Sequence, residues 1–240
     1  MSDTILELDA VYTDIAQYHV LQGVTLSVPV GAVTMLLGRN GVGKTTTLRT
    51  IMGLWRAHQG AVRFAGEDIT RLGTPAIARA GIGYVPENMG IFSDLSVEEN
   101  MRLAAVSGPM DQARLEWLFE VFPPLKTFWK KPAGQLSGGQ KQMLSIARAM
   151  AEPRRLYLID EPTKGLAPAI INTMANAMMA LKESGASILL VEQNFNVARQ
   201  LGDHCVVMDD GQVVWHGAMQ TLAEDSTLQA RLMGLAMEVE

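Results

Sequence analysis

Residues 38–45 read Gly-Arg-Asn-Gly-Val-Gly-Lys-Thr, the spacing of a loop built to hold phosphate. Gly38, Gly41 and Gly43 let the backbone curl until several N–H groups point at one anion, and a helix beginning where the loop ends adds positive potential. In such a loop Lys44 reaches the outer phosphates of a nucleotide and the Thr45 hydroxyl ligates Mg2+. Arg39, Asn40, Val42 and Thr46 complete the stretch that contacts the phosphates. The competing reading is a glycine-rich turn with an exposed lysine. A second constellation is Arg-Leu-Tyr-Leu-Ile-Asp-Glu-Pro at 155–162. Its mostly apolar residues bring Asp160 to the C-terminal edge of a buried strand, where ligands bind in open α/β sheets. There Asp160 would hold Mg2+ directly or through water. Glu161 would polarise an attacking water, a general-base role worth ~10²–10⁴-fold; alone, the pair also reads as helix-capping acids. Third, Leu136-Ser-Gly-Gly-Gln140 opens a helix, so that Ser137, Gly138, Gly139 and Gln140 can offer donors to an anion at a positive helix end. In isolation it reads equally as an N-cap followed by flexible glycines.

The elements that would position these residues follow from hydrophobic periodicity. Ile5–Tyr12 and Val24–Val30 alternate as half-buried antiparallel strands do. Ala32–Gly38 is a continuous apolar run of buried-strand type that leads through the glycines into the helical pattern 45–54. Further buried strands are expected at Gly81–Val85, Leu156–Asp160 and Ser187–Val191, each followed by a polar or Gly/Pro-rich break. Between about Asn88 and Glu152 only helical patterns appear, with Ser or Asp caps at their starts. The fold expected is α/β, with an N-terminal antiparallel β region and an inserted helical segment. It would form one domain over 1–240, with residues 1–87 and 153–240 as the α/β core and 88–152 as the helical lobe.

Composition limits the partners. A chain of 240 residues with 48% hydrophobic content and a mean hydropathy of +0.12 has enough apolar surface for a large core. Net charge is −5, which opposes binding to nucleic acid. The single cysteine, Cys205, cannot form an intrachain disulfide, which suits a reducing cytoplasm. No apolar run approaches the ~20 residues a membrane helix needs. No secretory signal is expected at the N-terminus, and no appended regulatory domain after Gly217.

Taken in order, the phosphate loop, the Ser137–Gln140 signature and the Asp160–Glu161 pair resemble the motifs of ABC ATPases over nearly the whole chain, from Leu8 to about Gly217. The resemblance implies a P-loop core with ATP and Mg2+ as ligands and ATP hydrolysis as the activity. It also implies two subunits face to face, the signature of each closing over the γ-phosphate held by the other. The stretches YVPENMGIFSDLSVEEN, DEPTKGLAP and LLVEQN look like the second of the two nonidentical ATPases of branched-chain amino acid importers. Three departures from the general ABC pattern carry that likeness: Glu87 where most members have glutamine, Ala167 where most have aspartate, and Gln193 where most have a switch histidine. Glu87 remains an oxygen ligand for Mg2+ without an amide donor. Gln193 can donate to the γ-phosphate but carries no charge, which points to slow hydrolysis in this chain's own site. Ala167 lacks a side chain to bond across the dimer. His19, His58, His204 and His216 are read as surface or core residues.

The family stacks an aromatic ring on adenine, whereas the corresponding position here is Ile15. Tyr12 and Tyr18 lie nearby, and stacking stands beside ordinary strand-edge packing. Met89, Ile91 and Phe92 follow Glu87 either as a contact for a transmembrane partner or as packing under the helical lobe. By resemblance the partners are a second ATP-binding subunit, two permease subunits and, indirectly, a periplasmic binding protein. A heterodimer is expected, with a homodimer as the alternative, at the cytoplasmic face of the plasma membrane. The competing functions are a non-transport ABC ATPase acting on a soluble assembly and a nucleotide sensor with little turnover.

Overall fold

A computed structural model describes residues 3–105 and 108–233. The chain begins with β1 (Thr4–Ile15), β2 (Tyr18–Pro29), β3 (Val33–Leu37), α1 (Lys44–Ile51), β4 (Gln59–Phe64), β5 (Glu67–Asp68) and α2 (Thr74–Ala80). It continues through β6 (Ile82–Val85), α3 (Val97–Ala104), α4 (Gln112–Val121), α5 (Pro123–Thr127), α6 (Gly138–Ala149) and β7 (Leu156–Asp160). The last third contains α7 (Pro168–Glu183), β8 (Ser187–Val191), α8 (Phe195–Leu201), β9 (His204–Asp209), β10 (Gln212–Ala218), α9 (Met219–Glu224) and α10 (Ser226–Met233).

Two sheets form. One is antiparallel in the order β2-β1-β4-β5; the other runs β10-β9-β3-β8-β7-β6. In the second sheet β9, β3, β8, β7 and β6 are parallel, and β10 returns antiparallel along β9. The continuous apolar runs of β3, β7 and β8 follow from this arrangement, because both faces of the sheet are covered and every residue of these strands is buried. Alternate residues of one strand enter different cores. Val33, Met35 and Leu37 join Tyr157 and Ile159 under the helices. Leu36, Leu156 and Leu158 face the antiparallel sheet with Leu6, Leu8 and Leu21.

Helices α3 to α6 lie between β6 and β7, two strands that pair directly. Val97, Met101, Leu118, Phe122 and Leu125 of these helices share one apolar cluster with Val85, Tyr157 and Met178. The starts of α3, α4 and α6 are fixed by the expected caps. Ser96 and Ser137 each form a reciprocal capping box, with Glu99 and Gln140, and Asp111 accepts from the N–H groups of Ala113 and Arg114; such caps are worth about 1 kcal/mol each. The first hairpin is longer than its sequence alternation, extending beyond Tyr12 to Ile15 and starting again at Tyr18. Its turn uses Ala16 at φ 55, an alanine where glycine or asparagine would be the usual marker.

Candidate active site

The loop 38–43 joins the end of β3 to the start of α1. Gly38 has φ 139, and a Cβ there would stand 2.3 Å from the Met208 carbonyl oxygen, so only glycine fits. Gly43 caps α1 at φ 105. The Lys44 side chain is buried and folds back over the loop, donating 2.8 Å hydrogen bonds to the carbonyls of Gly38 and Arg39. Burial pushes its pKa below the ordinary lysine value, against the pull of the nearby Glu161 and Asp160 carboxylates.

From the end of β7, Asp160 accepts a 3.2 Å hydrogen bond from the Thr45 hydroxyl through Oδ1, and its buried Oδ2 has no hydrogen-bond partner. Desolvation raises the Asp160 pKa to about 6, opposed by the Thr45 hydrogen bond and assisted by the charges of Glu161 and Glu87. An orphaned carboxylate oxygen beside a threonine hydroxyl fits Mg2+, which is held by few protein oxygens and completes its shell with phosphate and water.

In the metal-free protein Asp160 is a liability. Its folded-state pKa lies above the unfolded value of 3.8, so the folded protein holds this proton more tightly. The contribution to stability is full below pH 3.8 and is lost as pH rises through about 6. At pH 7 the cost is on the order of 2–3 kcal/mol. Asp160→Asn is therefore expected to raise Tm by about 5 °C at neutral pH in the presence of chelator, with the gain vanishing toward pH 4. The same substitution should weaken Mg2+-dependent nucleotide binding. Thermal melts across pH check the first effect and calorimetry with and without Mg2+ the second.

Glu161 follows Asp160 with φ 48, a left-handed conformation uncommon for a residue bearing a Cβ. Its N–H donates to the Val191 carbonyl at 2.9 Å, which ties the end of β7 to the end of β8. Gln193 Nε2 donates to Glu161 Oε1 at 2.6 Å, and the Lys164 ammonium lies 3.1 Å from Oε2. Lys164 also donates to Glu87 Oε1 at 2.7 Å. The cavity at this end of the sheet, about 350 Å³, is lined by Asn40, Gly41, Gly43, Lys44, Thr45 and Thr46 together with Val20, Glu87, Glu161 and Lys164. The fold thus brings together the loop, Asp160, Glu161, Glu87 and Gln193. Among the described residues, none of Ser137, Gly138, Gly139 and Gln140 lines this cavity.

Three participants escape the sequence reading. Val20 lines the cavity from β2. Lys164 is ordinary in type, and only the folded chain places it between two acids. Glu192 is buried; it accepts from the Thr163 N–H through one oxygen and from the Gln193 and Asn194 N–H groups through the other, with burial raising its pKa. It locks the segment after Glu161 to the segment carrying Gln193. An acid directly after the apolar run of β8 was the one available hint.

The aromatic candidates also separate. The Tyr12 hydroxyl lies close to Gly23 and its ring 6.0 Å from His58, whereas Tyr18 is 66% exposed. All four histidines are exposed, and His19 and His58 both approach Asp14. Phe92 is exposed, while Ile91 packs against the core.

A phosphate loop opening a helix, with a carboxylate pair at a strand end across from it, belongs to the class of P-loop nucleotide hydrolases. The family model described as ABC transporter matches residues 21–164, and the chain belongs to that family as an ATP-hydrolysing transporter subunit. The high-affinity branched-chain amino acid transport ATP-binding protein BraG of Pseudomonas aeruginosa is 36% identical over 232 residues, 96% of this chain and 100% of that protein. The probable branched-chain amino acid transport ATP-binding protein LivF of Archaeoglobus fulgidus is 33% identical, over 96% of this chain and 98% of that one. Among solved structures, an ATP-binding subunit of an ABC transporter superposes with a TM-score of 0.81 at 31% identity, covering 98% of this chain and 97% of that one. An ABC cassette in its ADP conformation gives 0.79 at 27% identity, over 94% and 96% of the two chains.

Proposed function

We propose that this chain hydrolyses MgATP at the site formed by residues 38–46, Glu87, Asp160, Glu161 and Gln193, and thereby drives an importer for branched-chain amino acids or related small polar solutes. The observation that carries the reading is the division of the site. The phosphate loop and its carboxylates surround one cavity that the signature residues do not line, so a second ATP-binding subunit supplies Ser137, Gly138, Gly139 and Gln140 or their equivalents. The substrate class rests on the relatives named above together with Glu87, Ala167 and Gln193.

Within the site each residue has a defined task. Lys44 and the loop N–H groups bind the β- and γ-phosphates. Thr45 and Asp160, with Glu87 at the rim, hold Mg2+, which neutralises phosphate charge when bound. Glu161 takes the proton of the attacking water, and Gln193 fixes the orientation of its carboxylate through the 2.6 Å hydrogen bond. Tyr18, an exposed ring two residues before the cavity-lining Val20, stacks on adenine in this reading, with Tyr12 as the alternative.

Coupling runs through the loop after Glu87. Ser145 of α6 donates to the Met89 carbonyl at 2.6 Å, and the Arg148 guanidinium bonds to the Gly90 carbonyl. The loop is thereby tied to the helix that starts at Ser137. Buried Asn100 holds its far end through Phe92. A shift at Glu87 therefore moves α6 and the exposed Phe92 together. On this reading residues 88–152 move as a lobe against the core formed by 1–87 and 153–240, and Phe92 meets a cytoplasmic helix of the permease. Among the described residues no helix is long and apolar enough to cross a membrane, so the two permease subunits provide the path and a periplasmic binding protein delivers the solute. The chain then sits at the cytoplasmic face.

The test is ATPase activity of the purified chain alone, with its second ATPase, and with the permease in liposomes. The chain alone is expected to be largely monomeric and slow, with turnover rising severalfold on assembly. Full activity as a homodimer would remove the heterodimer, and ATP binding without turnover in the assembled complex would favour the sensor reading.

A further inference from the structure

Lys164 stands in an unusual electrostatic position. It lines the same cavity as Lys44 and Thr45, and its ammonium contacts two acids from different strands, Glu87 after β6 at 2.7 Å and Glu161 after β7 at 3.1 Å. An ordinary exposed ion pair contributes little on its own. Here one nitrogen separates two carboxylates that would otherwise face each other beside the phosphate loop. Asp160 adds a third acid behind them. The cavity is therefore acid-rich for a site that must receive a polyanion, and Lys44, already hydrogen-bonded to two loop carbonyls, is the other lysine lining it.

We propose that Lys164 is a positioning residue of the phosphate site, which neutralises Glu87 and holds the Glu161 carboxylate so that a triphosphate can approach. This rests on the reading of the site given above and adds a residue to it. A glutamine at position 87 would need no such partner, so the charge at Glu87 and the cation at Lys164 form one functional unit. Because Lys164 is half-exposed, its electrostatic effect is screened by salt.

The test measures ATP affinity by calorimetry, with Mg2+ and with chelator, at low and high salt. The proteins compared are the wild type, Lys164→Ala, Lys164→Arg, Glu87→Gln, the Lys164→Ala/Glu87→Gln double variant and Lys44→Ala. Lys164→Ala is expected to weaken ATP binding about fivefold at low salt, with the loss shrinking as salt rises and persisting in chelator. Lys164→Arg should restore affinity, and in chelator, where Glu87 has no metal to hold, so should Glu87→Gln in the Lys164→Ala chain, because removing the acid removes the need for the cation. Unchanged affinity in Lys164→Ala, with binding lost in Lys44→Ala, would reduce Lys164 to a surface pair. A loss in Lys164→Ala that Glu87→Gln does not repair in chelator would show that the two residues do not act as a unit. Wild-type binding in Lys44→Ala would instead remove the phosphate site itself, and this proposal with it.

Discussion

Glu161→Gln is expected to leave MgATP binding close to wild type and to slow hydrolysis by ~10²–10⁴-fold, the range that positioned proton transfer supplies. The structure shows what this substitution keeps. Side-chain volume is kept, the carbonyl of the new amide can still accept from Gln193 as Glu161 Oε1 does, and the backbone bond to the Val191 carbonyl is untouched. What disappears is the base, together with the ion pair between Oε2 and Lys164, which keeps its contact to Glu87. If the pair of subunits closes around bound ATP, the variant should accumulate in that closed form, which size-exclusion chromatography with MgATP would detect. Single-turnover hydrolysis in the assembled complex, with the partner's site disabled, gives the rate. Full activity in Glu161→Gln would move the general-base role elsewhere.

Lys44→Ala should act on binding rather than on chemistry. Hydrogen bonds from a charged group are worth about 1.5–3 kcal/mol each, so losing the ammonium's contacts to the phosphates should raise the ATP dissociation constant by roughly tenfold to several hundredfold. The fold should survive, because the lysine is held against its burial cost. Calorimetry and a thermal melt on the same sample separate the two effects. Unchanged ATP affinity would remove the phosphate role from the loop, and a collapsed melt would show that the lysine braces it structurally.

Much of this site is visible in the chain before it is folded, for a physical reason. A phosphate cradle demands glycines at fixed spacing, since other residues would collide as a side chain at Gly38 would with Met208. Buried parallel strands demand apolar runs, and those at Leu156–Asp160 and Ser187–Val191 begin and end where the runs do. Helix starts are legible because the capping serines and aspartate satisfy orphan N–H groups locally. The less legible parts depend on distant partners. β9 is not among the strands expected from periodicity, and pairing with β3 makes it one. β4 is recruited by β1, and β5, only Glu67 and Asp68, is recruited in turn by β4. Glu192 and Lys164 are common residue types whose importance arises from segments that meet only in three dimensions.

The strand order also governs how the molecule is made. β3 carries the phosphate loop, yet its two neighbours in the sheet are β8 and β9, which lie more than 150 residues further along the chain. β6 likewise waits for β7 across all of α3 to α6. These pairings close long loops before any contact rewards them, which slows folding and leaves strand edges unpaired meanwhile. During synthesis, a ribosome that has released the first 150 residues has exposed the nucleotide loop on a strand with neither flank in place. Both flanking strands are available only after residue 209 emerges, so the loop gains its place in the sheet late in synthesis, after the carboxylates at the end of β7 have been made.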